Sequence, residues 1–312
     1  MLLLRSPGRD CALAATILGA LACSGPRHEA AADTTRAAAD TALPAATAPD
    51  LQAADPALAA AIERGRAILT ATPESLPRRA RSALRCTSCH LDEGRRPRAM
   101  SWVGVYARFP QYRSREGKVL RLEDRINGCL RRSMNGRALP LDDPAMRDMV
   151  AYMAFLSRGV PVGARTAGDG LPKLEPVLQP DTARGRTRYA TACAACHGAD
   201  GAGKVGPPLW GPRSFNIGAG MARLRTAAAF IKYNMPFDRP GTLSDQDAYD
   251  IAGWMLTQPR PDFPGKEHDW PNGDAPPDAR YPTLGQSRRA ASAPASGRVV
   301  SGPQMVSRSN RR

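Results

Sequence analysis

Histidine and aromatic residues are scarce in this chain: four histidines and 5% aromatics among 312 residues. With so few rings to stack on bases, the basic balance, 44 Lys+Arg against 29 Asp+Glu for a net +15, argues against a nucleic-acid partner. Long apolar runs are lacking too. The run "CALAATILGALA" at residues 11–22 is too short to span a bilayer. No segment sustains strand-type alternation, which points away from a β-rich fold. Acids are sparse where bases gather. Residues 78–137 hold 16 Lys+Arg and 5 Asp+Glu, net +11, and residues 283–312 hold six arginines and no acid. Such charge suits small anions or an anionic membrane surface.

What is present starts with an export pattern. Arg5 and Arg9 precede the apolar run, which ends in small residues, so residues 1–22 are expected to be a signal peptide and the mature chain periplasmic. The sequence "ALACSG" also permits lipidation at Cys23, a tether to the membrane. Residues 23–56, rich in Ala, Thr, Asp and Pro, are expected to be a disordered tether. Two domains, 57–160 and 181–282, follow on either side of a Pro/Gly-rich linker at 161–180. Residues 283–312 are expected to be a disordered basic tail.

The two domains repeat each other. "RGR" at 64–66 returns at 184–186, and "CTSCH" at 86–90 returns as "CAACH" at 193–197. "LDDPAMRDMVAYM" (141–153) lies without gaps over "LSDQDAYDIAGWM" (243–255), both with helical spacing. Each half runs helix, CxxCH, long loops, final helix.

The CxxCH motif has a mechanical sense: two thiols add to the vinyl groups of one haem, and the next histidine ligates its iron. A redox dithiol or half of a zinc site does not need that histidine. Two copies in an exported chain predict two covalently bound haem c groups. Cys86, Cys89, Cys193 and Cys196 attach them, and His90 and His197 are the proximal iron ligands. The expected fold is all-α, with two tandem class I cytochrome c-like domains.

The scarcity of histidine then matters, because His28 lies in the tether and His268 in a Pro-rich segment, leaving none for the distal sides. In the second domain Met235 stands 38 residues after His197, before Pro236 and the final helix, and is the expected distal ligand. Met221 and Met255 are weaker rivals. In the first domain two candidates stay open. Superposing the final helices puts Met235 over Ser133, one short of Met134, whereas counting from His90 gives Cys129 at 39 residues. A lone thiol here could simply be a small buried hydrophobe. Its neighbouring arginines would favour the thiolate.

Five strings carry a further likeness: "SWVGVYARFPQYRSRE", "LEDRINGCLRRSMNG", "AYMAFLSRGVPVG", "PPLWGPRSFNIGAGM" and "FIKYNMP". Over roughly residues 85–282 the chain resembles the dihaem thiosulfate dehydrogenases, c-type cytochromes that form tetrathionate. The resemblance implies that Cys129 is the distal ligand of the first, catalytic haem and that Met134 is a packing residue. It also implies Arg115, Arg125 and Ser133 as substrate contacts. Some relatives carry a lysine directly before the second haem's methionine; Asn234 stands there in this chain, with Lys232 a remote substitute.

The expected activity is oxidation of two thiosulfates to one tetrathionate, a reaction open to reversal. Two dianions at ~4 Å repel by on the order of several kcal/mol even in a wet site, which arginine forks offset. Thiolate ligation stabilises ferric iron and His/Met ligation raises the potential, so electrons are expected to pass from the His/Cys haem to the His/Met haem. An external acceptor, a soluble cytochrome or similar, would then take them. Cys129 is expected to leave the iron during turnover and carry a sulfane-sulfur adduct. Two other readings compete. A non-enzymatic dihaem carrier would leave Cys129 and the arginines idle, and an oxidoreductase for another small sulfur anion would use them equally well.

Overall fold

The computed structural model describes residues 55–292. The expected signal segment, Cys23, the tether up to residue 54 and the tail from residue 293 lie outside the described residues. Asp55 caps α1 (Pro56–Thr70): its carboxylate accepts from the Ala57 and Leu58 amides, and Pro56 takes the first helical position, where no N–H is needed. The short α2 (Thr72–Ser75), α3 (Leu122–Arg132) and α4 (Pro144–Phe155) complete the first repeat. The second holds α5 (Thr182–Ala192), α6 (Ala194–His197), α7 (Leu224–Asn234) and α8 (Asp245–Thr257).

The all-α expectation stands with one small addition. Strands β1 (Gln111–Arg113) and β2 (Lys118–Leu120) pair antiparallel, Tyr112 opposite Val119. Three residues per strand are too few for alternation to show in a sequence. One expectation is corrected. Residues 284–292, assigned to the disordered tail, form helix α9 (Leu284–Ser292). It docks through Gly285, where an added Cβ would come within 2.2 Å of the Trp270 carbonyl oxygen. Attachment through a glycine leaves no apolar periodicity to read.

The repeated "RGR" has a physical cause. Helix α1 packs on α4 and α5 on α8. In the first pair Arg64 grips Asp148 with two hydrogen bonds of 2.8 and 2.9 Å; in the second Arg184 pairs with Asp250, which occupies the same position of the aligned final helix. Beside each arginine a glycine lets the helices touch. A Cβ on Gly65 would lie 2.0 Å from the Asp148 carbonyl oxygen, and one on Gly185 would lie 2.0 Å from that of Asp250.

Asp250 yields a test by acid. Burial alone would raise its carboxyl, but the Arg184 hydrogen bond, the Asp181 amide and Gln246 outweigh it and hold the group below the usual carboxylate range. A lowered folded value stabilises the fold above the unfolded pKa of about 4, and that contribution is lost as pH falls through the folded value. The melting temperature of the holoprotein is therefore expected to drop below about pH 4. Asp250→Asn should melt earlier at neutral pH and show a shallower acid slope. Equal slopes would remove this pair from the acid response.

The repeats share a core. Phe215, Ala219 and Ala222 of the second repeat belong to the buried cluster of the first, with Leu130, Met134 and Met149. Burying Phe215 alone is worth roughly 1.5–3 kcal/mol. The same segment is tied by hydrogen bonds from the Ala83 amide to the Arg213 carbonyl (2.8 Å) and from Asn216 Nδ2 to the Arg131 carbonyl (2.9 Å). Beyond α8 the chain doubles back as a strap across the first repeat. The Trp270 amide donates to the Arg115 carbonyl (2.8 Å), and Asp269 binds Arg132 (2.6 Å) and the Tyr281 hydroxyl (2.6 Å).

Candidate active site

Helix α3 builds the site because its two faces carry different residues. Leu122, Ile126 and Leu130 recur every fourth position and are buried in the core. Arg125, Cys129 and Ser133 recur four apart on another face. The helix is oriented by its ends: the Arg121 amide donates to Asp124 (3.0 Å), acids occupy the first turn and Arg131 and Arg132 the last. Arg125 Nη1 donates to Cys129 Sγ at 2.8 Å, and the His90 imidazole meets the same sulfur.

Those residues stand between two cavities. The first, about 630 Å³, falls in the usual range for a cofactor pocket, roughly 300–1,000 Å³. It is lined by Leu69, Leu84, Leu130 and Met153, with Cys86, Cys89 and His90 in its wall. The second, about 400 Å³, is polar: Arg113, Arg115, Arg125, Arg132 and Arg223 line it with Ser133 and Trp270. Cys129, Arg125 and Ser133 belong to both linings.

Three cysteines share the first cavity, and their environments separate them. Burial pushes Cys86 and Cys89 up to about 12. Burial would do the same to Cys129, but Arg125 beside it and the hydrogen bond from His90 overcome that and bring it down to about 6. Met134, the rival in this repeat, is 2% exposed, packs in the core and lines the first cavity.

Both proximal-ligand candidates are set by the same device. His90 Nδ1 bonds the Met100 carbonyl (2.6 Å) and His197 Nδ1 bonds the Pro207 carbonyl (2.8 Å), each ten residues on. Fixing one ring nitrogen on a carbonyl directs the other toward a metal. Burial also lowers the His197 pKa, against the pull of its Pro207 bond, which favours the neutral imidazole that a metal needs. The thiols of Cys86, Cys89, Cys193 and Cys196 are all free. An apolar cavity holding two free thiols and a carbonyl-oriented imidazole fits haem c in the first repeat. The second repeats the thiols and the oriented histidine.

Met235 follows α7, its amide bonded to the Ile231 carbonyl (2.9 Å), and packs half-buried between the second core and a small cluster bridging the repeats. Met255 is 4% exposed within the second core, and Met221 packs against the first core and the bridging cluster. Asn234 donates to the Arg98 carbonyl (2.9 Å), and Lys232 is engaged with the Leu243 carbonyl (2.6 Å) and Asp245 (3.3 Å).

The structure brings the candidates Arg115, Arg125, Ser133 and Cys129 into one cavity wall. Arg115 is held by the Gly218 carbonyl (2.6 Å) and stacks on Trp270 (4.7 Å); burial lowers its pKa to about 10, with Arg132 adding to the effect. Arg113, Arg132, Arg223 and Trp270 were not singled out from sequence. Arg132 follows Cys129 by three residues, a helical spacing that could have flagged it. Arg223 and Trp270 come from the second repeat and the strap, for which no local spacing gives a signal.

The family model of the SoxA/TsdA cytochrome c domain matches residues 78–162. That of cytochrome c oxidase, cbb3-type, subunit III matches residues 180–255. Thiosulfate dehydrogenase of Allochromatium vinosum is 50% identical over 220 residues, covering 67% of this chain and 82% of its own. That of Psychrobacter arcticus is 44% identical over 233 residues, covering 72% and 71%. The solved structure of thiosulfate dehydrogenase (TsdBA) from Marichromatium purpuratum, in its as-isolated form, gives a TM-score of 0.70 at 32% identity over 79% of this chain. The match spans 56% of that longer chain. With a relative this similar over most of its length and both halves matched as cytochrome c domains, the chain belongs to the thiosulfate dehydrogenase family of oxidoreductases, with two haem c groups.

Proposed function

We propose that this protein joins two thiosulfates into tetrathionate at the Cys129 thiol, in the periplasm and with Cys23 as a candidate lipid anchor. The observation that carries the reading is the position of Cys129 in the wall common to the apolar cofactor cavity and the arginine-lined cavity. A sulfur there would reach the cofactor on one side and an anionic substrate on the other.

The haems, when bound, would supply two one-electron acceptors, and His90 and Cys129 would hold the iron of one, His197 and Met235 that of the other. The chain's own residues handle the anions. Two dianions at 4 Å repel by roughly 4 kcal/mol even in bulk water, and more in a partly dry cleft. Arg115 and Arg125 offset that repulsion with N–H forks suited to sulfonate oxygens. Ser133 adds a hydroxyl donor. The Cys129 thiolate bonds the sulfane sulfur of the first thiosulfate, giving Cys–S–S–SO₃⁻ and two electrons. The second thiosulfate attacks the sulfane sulfur of that adduct, breaks its bond to Cys129 and leaves as tetrathionate, restoring the thiolate. The electrons pass by way of the second repeat to an external acceptor. The steps are chemically reversible.

The deciding experiment supplies thiosulfate and ferricyanide to haem-loaded protein and measures tetrathionate. Two ferricyanides should be reduced per tetrathionate formed. If well-loaded protein gives no turnover in either direction, the chain is a dihaem electron carrier.

A further inference from the structure

Arg223 is the cavity cation with the least to hold it. Arg132 has Asp269 and Glu116 as partners, Arg125 has Cys129, and Arg115 has a carbonyl and an indole face. Arg223 Nε is buried without a hydrogen-bond partner, and among the described residues its guanidinium makes no ion pair. The side chain lines both cavities, from a position in the second repeat just ahead of α7. It is close enough to Arg115 to help lower that residue's pKa. A buried N–H donor among like charges is costly unless an anion completes it. Five guanidiniums line this cavity against one lining carboxylate, Glu116.

We infer that Arg223 is a further substrate-binding residue, through which the second repeat completes the anion site of the first. The inference rests on the proposed thiosulfate chemistry and adds a sulfonate-oxygen contact to it. The contact made is Nε–H, with an Nη–H of the same planar fork, to two oxygens of one sulfonate. Arg223 is not assigned a role in forming the S–S bond, so its loss should weaken binding and spare the chemical step.

The test compares Arg223→Gln, Arg223→Lys and, as a control for bulk charge, Arg186→Gln on the exposed face of α5. Two readouts use the holoprotein: steady-state kinetics with thiosulfate, and calorimetric titration of the fully oxidised protein with tetrathionate, which binds without being oxidised further. Arg223→Gln is expected to raise KM and the tetrathionate Kd by about tenfold or more, with kcat within about twofold. Arg223→Lys should recover part of the loss, and Arg186→Gln should match wild type. Equal values for the two glutamine variants overturn the inference, as does a fall in kcat with KM unchanged. Absent turnover in wild type would defeat the proposed reaction alone, because the titration still reads the site. Wild type that does not bind tetrathionate overturns the inference itself.

Discussion

Cys129→Ala is expected to lower thiosulfate turnover on the order of a thousandfold or more, with both haems still attached. Attachment is assigned to Cys86, Cys89, Cys193 and Cys196, so haem content and mass should not change. The size of the effect follows from the role. If the thiol only filled space, alanine would leave a small apolar gap and cost a fraction of activity. If it carries the sulfane sulfur, no other thiolate can replace it: Cys86 and Cys89, the other cysteines of the same cavity, are spent as thioethers to the haem. Cys129→Met separates ligation from bonding, because a thioether can ligate iron yet cannot form the disulfide-type adduct. Full turnover in that variant would sink the thiol chemistry while leaving the arginine cavity intact. The visible spectrum of each variant reports whether the first iron has gained a new distal ligand.

Asp269→Ala is the structural counterpart and should be the most damaging single change outside the cores. Asp269 and Arg132 are 7% and 9% exposed at their side chains, and the same carboxylate takes the Tyr281 hydroxyl. Truncating it leaves Arg132, whose Nε already lacks a partner, as a buried cation balanced only by Glu116 at 3.8 Å. Such losses run at roughly 3–5 kcal/mol. At roughly 2–4 °C per kcal/mol for a protein of this size, the melting temperature should fall by about 10 °C. The strap should loosen first, so proteolysis between residues 258 and 284 should become rapid before the haem domains are cut. Because Trp270 and Asp269 hold Arg115 and Arg132 in place, KM for thiosulfate should rise as well. An unchanged melting temperature would mean that the strap does not depend on this pair.

Much of this architecture could be read from residues close together in the chain. Cys129 and Arg125 are four apart on one helix, CxxCH is contiguous, and the aligned final helices place Asp148 over Asp250, the pair that Arg64 and Arg184 hold. Spacing alone left Cys129 and Met134 as equals. In the structure both line the first cavity, with His90 and Arg125 beside the Cys129 sulfur and Met134 packed in the core. What stayed hidden is what the chain assembles over distance. Arg223 and Trp270 reach the cavity from 90 or more residues beyond Cys129, and nothing in their own neighbourhoods marks the destination. The β1–β2 hairpin and α9 were hidden for another reason: both are short and lean on neighbours instead of carrying a periodic apolar face.

The seating of Phe215, Ala219 and Ala222 among the core residues of the first repeat limits how this protein can have diversified. Duplicated modules usually stay exchangeable because each keeps its own interior. Here the second copy has surrendered part of its sequence to the first, so either half alone would expose a gap or an apolar segment cut for another body. Recombination that swaps one half for a foreign cytochrome would have to carry residues 211–223 along with the half they serve.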